Sequence, residues 1–234
     1  MVYERNAFCR RYAITGVKLM EKVVVFDLDE TIGHFTNLSG FIGAIQATSG
    51  REFPVFEALK CFPETFRPGL GPILRDLVWR KRRGEKIRVI IYTNNNGGAE
   101  WPTSIAQAMN RLLSYPLFAQ VIPGFQGRGC RTSHEKSVQD LARCAGIGPK
   151  APILFLDDSS HRQMISDNVY YVQVSVYVPS LSPDEMLNRF VRRYRVRGNP
   201  NLFKNNVLTN LVDNRFQWTR ESPVGKDDQQ LLYN

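Results

Sequence analysis

Cysteine, histidine and long apolar runs are all scarce in this sequence of 234 residues, and acid is short relative to base. The four cysteines, Cys9, Cys61, Cys130 and Cys144, are scattered, with no Cys-x-x-Cys pair and no histidine at zinc-ligand spacing. That excludes a recognisable zinc module and a dense disulfide framework, and sets the expectation of unpaired thiols in a reducing compartment. No apolar run exceeds strand length, so no membrane span and no membrane partner are expected. The first 22 residues carry Glu4, Arg5, Arg10, Arg11 and Lys18 without an uninterrupted apolar stretch. This argues against a secretory signal and for a cytoplasmic or nuclear protein. With 31 Lys and Arg against 22 Asp and Glu, the formal net charge is +9. Such a chain favours acidic partners, whether nucleic acid, phosphoprotein, lipid headgroup or phosphorylated small molecule, and the sign of the charge does not choose among them.

What is present is ordinary in amount and ordered in pattern. Hydrophobic residues make up 43% and charged residues 23%, enough for one substantial core in a single α/β domain with extensions. Short apolar runs rich in β-branched residues occur at 23–27, 87–93, 118–122, 153–157 and 170–178. Several are nearly continuous, as in strands covered on both faces. Helical patterns fall between them. Pro72 opens one with Ile73, Leu74, Leu77 and Val78 as its stripe, and a second places Ile105, Ala108, Met109 and Leu112 on one face. Thr132-Ser133-His134-Glu135 has capping-box spelling, which predicts a helix with Lys136 in its first turn. Ser182-Pro183-Asp184-Glu185 predicts another helix start.

This alternation predicts an α/β fold with a doubly wound, Rossmann-like, mostly parallel sheet. Residues 33–67 show no clear period and read as a small irregular insertion after the first strand. The expected organisation is an N-terminal extension over 1–20, a main α/β domain over 21–197, and a C-terminal extension over 198–234. The last comprises a docking helix, with Val207, Leu208, Leu211 and Val212 as its stripe, and a frayed tail.

The richest segment is Val23-Val24-Val25-Phe26-Asp27-Leu28-Asp29-Glu30-Thr31, an apolar strand that runs into two carboxylates and a hydroxyl. In open parallel sheets, ligands gather at the carboxyl ends of strands, so the Asp-x-Asp-x-Thr triplet is well placed for chemistry. Later elements extend it in chain order. The second strand ends in Thr93-Asn94, a helix start offers Lys136, and the fourth strand runs into Asp157-Asp158. Four carboxylates converging on one sheet edge repel and raise one another's pKa unless a cation offsets them, and a metal ion is the economical answer.

In these four elements the chain resembles the haloacid dehalogenase superfamily of phosphotransferases. Asp27-Leu28-Asp29-Glu30-Thr31, Arg67-Pro68-Gly69 and Leu156-Asp157-Asp158-Ser159 are similar to motifs of one branch, which holds the phosphatases of the RNA polymerase II C-terminal domain and the NLI-interacting-factor-like domains. The resemblance covers roughly residues 23–192. It implies a phosphatase that uses Mg2+ and acts on phosphoserine or phosphothreonine in a protein or peptide, the polymerase tail being one such substrate. Ser160 departs from the proline usual in the small members of this branch, and a glycine-rich loop at 124–129 precedes the lysine segment.

On this reading Asp27 is the nucleophile that becomes an aspartyl phosphate, and Asp29 protonates the leaving oxygen and later activates water. Thr93 and the Asn94 backbone amide hold phosphoryl oxygens, and Lys136 neutralises charge, with Arg131 or Lys150 as substitutes. Asp27, the main-chain carbonyl of Asp29, and Asp157 bind Mg2+, with Asp158 direct or through water. His34, His134 and His161 read as structural, and the cluster at 80–83 as a solvated helix end. Two other readings stay open: a phosphatase of nucleic-acid ends or nucleotides, which the positive charge also suits, and a catalytically silent phosphoprotein-binding domain.

Overall fold

The computed structural model describes residues 20–219 apart from 96, 98, 99 and 128. Most of the expected N-terminal extension and the tail after residue 219 lie outside the described residues.

Five strands form one sheet: β1 (Lys22–Phe26), β2 (Ile87–Tyr92), β3 (Phe118–Ile122), β4 (Ile153–Asp157) and β5 (Val169–Gln173). Their order is β3-β2-β1-β4-β5, every pairing is parallel, and the order reverses at β1. The near-continuous apolar runs follow from burial on both faces. Val24 and Phe26 enter one core, while Val23 and Val25 enter a second core with Ile90, Phe155 and Leu141. The first core is roofed by α1 (Thr36–Ser49), α2 (Val55–Cys61), α3 (Leu70–Arg82), α4 (Glu100–Leu112), α6 (Pro183–Arg193) and α7 (Pro200–Asp213). The second is covered by α5 (Val138–Ala145). Three layers result, as expected of a doubly wound α/β sheet. Among the described residues no helix is long and apolar enough to cross a membrane.

Register decides where the strand ends meet. Val25 lies opposite Ile90 on one side and Phe155 on the other, and the Asp27 N–H donates to the Leu156 carbonyl at 2.8 Å. Asp27, Thr93 and Asp157 therefore leave the sheet at the same edge.

The insertion is more regular than its sequence suggests. Residues 36–49 and 55–61 form α1 and α2, with Leu38, Phe41 and Ile45 of α1 buried. Gly40 and Gly43 obscure the period, yet Gly40 has a packing reason: a Cβ there would fall 2.3 Å from the Phe216 ring. Residues 200–213 form α7, which buries Phe203, Val207 and Leu211 and packs along α1, whereas Val212 of the expected stripe is exposed. The last strand ends at Gln173, not 178. Beyond it the chain turns over the β1 loop, where the Tyr177 N–H donates to the Glu30 carbonyl at 3.0 Å.

Two further expectations are corrected. The 132–135 segment is not a capping box, because α5 begins at Val138 with Ser137 as its cap, the Ser137 hydroxyl accepting from the Asp140 N–H. Thr132 is instead engaged by the Asp140 carboxylate, which accepts from its N–H at 2.8 Å and its hydroxyl at 2.9 Å. The thiols of Cys130 and Cys144 are not unpaired but joined in a disulfide, since α5 folds back along the 130–137 loop and Arg143 Nε donates to the Cys130 carbonyl. Cys61 is free and buried.

Candidate active site

Asp27 sits one residue past β1, almost wholly enclosed between the ends of β2 and β4. The turn that follows is held from outside: the Ile32 N–H returns to the Leu28 carbonyl at 3.0 Å, and Gly33 packs so closely on Thr65 that a Cβ would lie 2.4 Å from its carbonyl oxygen. Only glycine fits there. Arg67 then clamps the turn, its Nε donating to the Thr31 carbonyl at 2.7 Å and its Nη2 to the Glu30 carbonyl at 2.6 Å and to the Ser175 carbonyl. The Arg67-Pro68-Gly69 motif thus braces the first carboxylate loop and starts α3.

Lys136 enters from the loop before α5. Its Nζ donates to Asp27 Oδ1 and, at 2.7 Å, to Asp157 Oδ2, and the whole side chain is buried. Two bonds fix that loop. The Ser137 N–H donates to Tyr92 Oη at 3.1 Å, and the Arg131 guanidinium spans the carbonyls of Thr93, Pro123 and His134. Arg131 is therefore committed to backbone, and Lys150 is exposed. Of the three basic residues considered from sequence, the structure brings only Lys136 to the carboxylates.

Asp158, half-buried, faces the same space. Thr31 Oγ1 donates to its Oδ1 at 3.0 Å and accepts from its N–H at 2.9 Å. One oxygen each of Asp27, Asp157 and Asp158 lie within 4.8 Å of one another. Asp29 takes a separate course: its carboxylate is outside this cluster and accepts from Asn95 Nδ2 at 2.6 Å. Thr93 is buried, and its Oγ1 accepts from the Asn95 N–H at 3.0 Å, which leaves the hydroxyl proton available to a ligand. The Asn94 side is exposed. Asn96 and Gly98 lie outside the described residues.

The electrostatics are unbalanced. Burial, opposed by Lys136 and reinforced by Asp157, pushes the Asp27 carboxyl up to about 7. Burial likewise raises Asp29, against the Asn95 hydrogen bond, and raises Asp158, against the Thr31 hydrogen bond. Burial also works upward on Asp157, but hydrogen bonds from His161 and Lys136 together with the lysine charge outweigh it, so this carboxyl lies below its usual range. Asp27 and Asp157 share one ammonium, and Asp158 beside them is held by the Thr31 hydroxyl. A set of hard oxygen donors in charge surplus suits a divalent cation such as Mg2+.

Two contacts were not foreseen from sequence. Nothing in the sequence ties Asn95 to Asp29, since only the return of the β2 loop over the β1 loop brings them together. His161 Nε2 lies 3.4 Å from Asp157 Oδ2, the i,i+4 spacing being its only prior signal. His34 and His134 make no hydrogen bond to any of the four aspartates.

No protein-family model matches the chain, and no curated protein matches it. Among solved structures it is similar to a haloacid dehalogenase-like family hydrolase from Xanthomonas campestris. The identity is 12%, 85% of this chain and 100% of that chain are covered, and the TM-score is 0.35. So distant a likeness carries no functional weight, and the α/β class stands on the parallel sheet and its flanking helices.

Proposed function

We propose that this chain is a Mg2+-dependent phosphomonoester hydrolase that forms an aspartyl phosphate on Asp27, with phosphoserine or phosphothreonine in a protein as its substrate. The observation that carries the reading is the placement of Lys136 Nζ between Asp27 and Asp157 while Asp29 is held apart on Asn95. A cluster of acids built only for stability has no need of a second carboxylate held raised and separate.

The side chains of Asp27, Asp157 and Asp158, with the Asp29 carbonyl as the resemblance implies, would hold Mg2+. When bound, the ion screens the carboxylates from an anionic phosphoryl group and orients it. A carboxylate oxygen of Asp27 attacks phosphorus, and the bond from phosphorus to the ester oxygen breaks. Asp29, whose burial shifts its carboxyl upward, gives its proton to that departing oxygen, so the alcohol leaves neutral. Thr93 Oγ1 and the Asn94 amide donate to phosphoryl oxygens, and Lys136 offsets the negative charge that builds between Asp27 and phosphorus. Asp29, now ionised, takes a proton from water as that water attacks the acyl phosphate, releasing inorganic phosphate and restoring Asp27.

The test is borohydride trapping during turnover of a phosphopeptide with Mg2+: reduction of the acyl phosphate converts Asp27 to homoserine, read by peptide mass. Absence of that product with an active enzyme rejects Asp27 as nucleophile. The net charge of +9 also suits a phosphorylated polynucleotide end. A polynucleotide substrate loses affinity steeply as salt rises, whereas a short phosphopeptide responds weakly.

A further inference from the structure

A cavity of about 510 Å³ lies away from the carboxylates, where the C-terminal ends of α1 and α6 meet the start of α2 and α7. Its floor is apolar: Ile45, Phe53, Phe190, Tyr194 and Phe203, with Phe53 packed edge-on against both Phe190 and Tyr194. Its mouth is basic. Arg51, Arg195 and Arg197 line it, all three are exposed, and no guanidinium among them has an ion-pair or hydrogen-bond partner among the described residues. This sets them apart from Arg67, Arg88, Arg131, Arg143 and Arg189, each of which holds a carboxylate or a carbonyl. Of the two acids at the rim, Glu57 is engaged by Lys60 at 3.5 Å and by Tyr194 Oη at 3.4 Å, which leaves Glu52 against three arginines.

We infer that this groove docks an acidic peptide segment carrying a leucine or phenylalanine anchor. The aromatic floor takes the anchor and the arginine rim takes flanking carboxylates, a division seen in grooves that read linear motifs. A polynucleotide supplies the charge but nothing apolar to fill the floor. A second copy of a chain with net charge +9 brings like charge to the rim. The site shares no residue with the carboxylate cluster, so its occupancy is independent of the catalytic reading. If that reading holds, docking raises the local concentration of substrate protein at the sheet edge.

The test is fluorescence anisotropy of the full chain with the fluorescein-labelled probe Glu-Asp-Glu-Leu-Leu-Phe-Glu-Asp. Micromolar binding is expected, weakened about 10-fold or more when serine replaces the probe's Leu and Phe, or lysine its acids. The double reversal Arg195→Glu with Arg197→Glu should weaken it similarly, as should Arg51→Glu on a different segment. Melting temperature and turnover of a small phosphomonoester should stay unchanged in both. Binding that survives both reversals, or that ignores loss of the apolar anchors, overturns the proposal. So does tighter competition by a single-stranded oligonucleotide or by phosphatidylserine vesicles. Tighter competition by a synthetic peptide of residues 225–234, whose Asp227, Asp228, Leu231 and Leu232 have the same chemistry, overturns the external partner and assigns the groove to this chain's own terminus.

Discussion

Asn95 Nδ2 donates to Asp29 Oδ2 at 2.6 Å across 66 residues of sequence, joining the loop after β2 to the loop after β1. The same asparagine accepts the Gly97 N–H on its Oδ1 at 2.9 Å and donates its own N–H to Thr93. Its amide is therefore oriented from both ends, and Asp29 is oriented by it.

Because Asn95 donates to the carboxylate, it favours the ionised form of Asp29 and works against the rise that burial causes. Asn95→Ala should raise the Asp29 pKa and move the alkaline limb of the kcat profile to higher pH. It should also lower kcat on phosphoserine peptides by roughly 10- to 100-fold, and much less on p-nitrophenyl phosphate, whose leaving group needs little acid help. Equal losses on both substrates, with no pH shift, reject the role of Asn95 in placing the acid.

Lys136→Met removes the ammonium that bridges Asp27 and Asp157. Breaking a buried pair from one side costs about 3 kcal/mol or more, so urea unfolding at pH 8 without metal should show a loss of that order. At pH 5, with Asp27 largely protonated, the loss should shrink. Added Mg2+ should restore part of it at pH 8. A variant equally stable at both pH values, with no response to Mg2+, removes the electrostatic account of the site.

Metal affinity should itself depend on pH. A ligand carboxyl must lose its proton, and the metal-free Asp27 holds its proton up to about 7. Apparent Mg2+ affinity measured by calorimetry should therefore rise with pH below about 7 and level off above it. The sign for stability is the reverse. A carboxyl raised above its unfolded value of 3.8 contributes stability at low pH that is lost as pH climbs through about 7. Asp27→Asn should accordingly make the metal-free protein more stable than the parent by a margin that grows between pH 5 and pH 8, while abolishing turnover by roughly 10³-fold or more. Substantial remaining turnover contradicts the assignment of the nucleophile.

The Cys130–Cys144 disulfide closes 14 residues that contain Arg131 and Lys136. Constraint of a loop this long stabilises a fold by about 3 kcal/mol. Reduction, or Cys144→Ser, should lower the melting temperature, and kcat should fall with it as the lysine loop loosens. Alkylation without reductant should leave both cysteines unmodified, and their modification under native conditions rules the bridge out.

Much of this molecule was legible before any coordinates. The strand cores, the helix capped by Ser182 and the motif residues Asp27, Thr93 and Asp157 announce themselves locally, through β-branched runs, a capping serine, or a polar side chain at a strand end. Period and capping act over a few residues, so they survive in the sequence. Less legible were α1, whose glycines blur the stripe of Phe35, Leu38, Phe41 and Ile45, and the start of α5, where Thr132 resembled a cap but turned out to bind Asp140.

What the sequence determined by itself was an alternating α/β chain with acids at the ends of its first and fourth strands. What only the tertiary structure decided was the meeting of distant side chains: Lys136 with Asp27 and Asp157, Asn95 with Asp29, Cys130 with Cys144, and three arginines with an aromatic groove. Those pairings depend on strand register and on where each loop returns. Both are settled by packing across the whole sheet, and packing leaves no trace in the spacing of neighbouring residues.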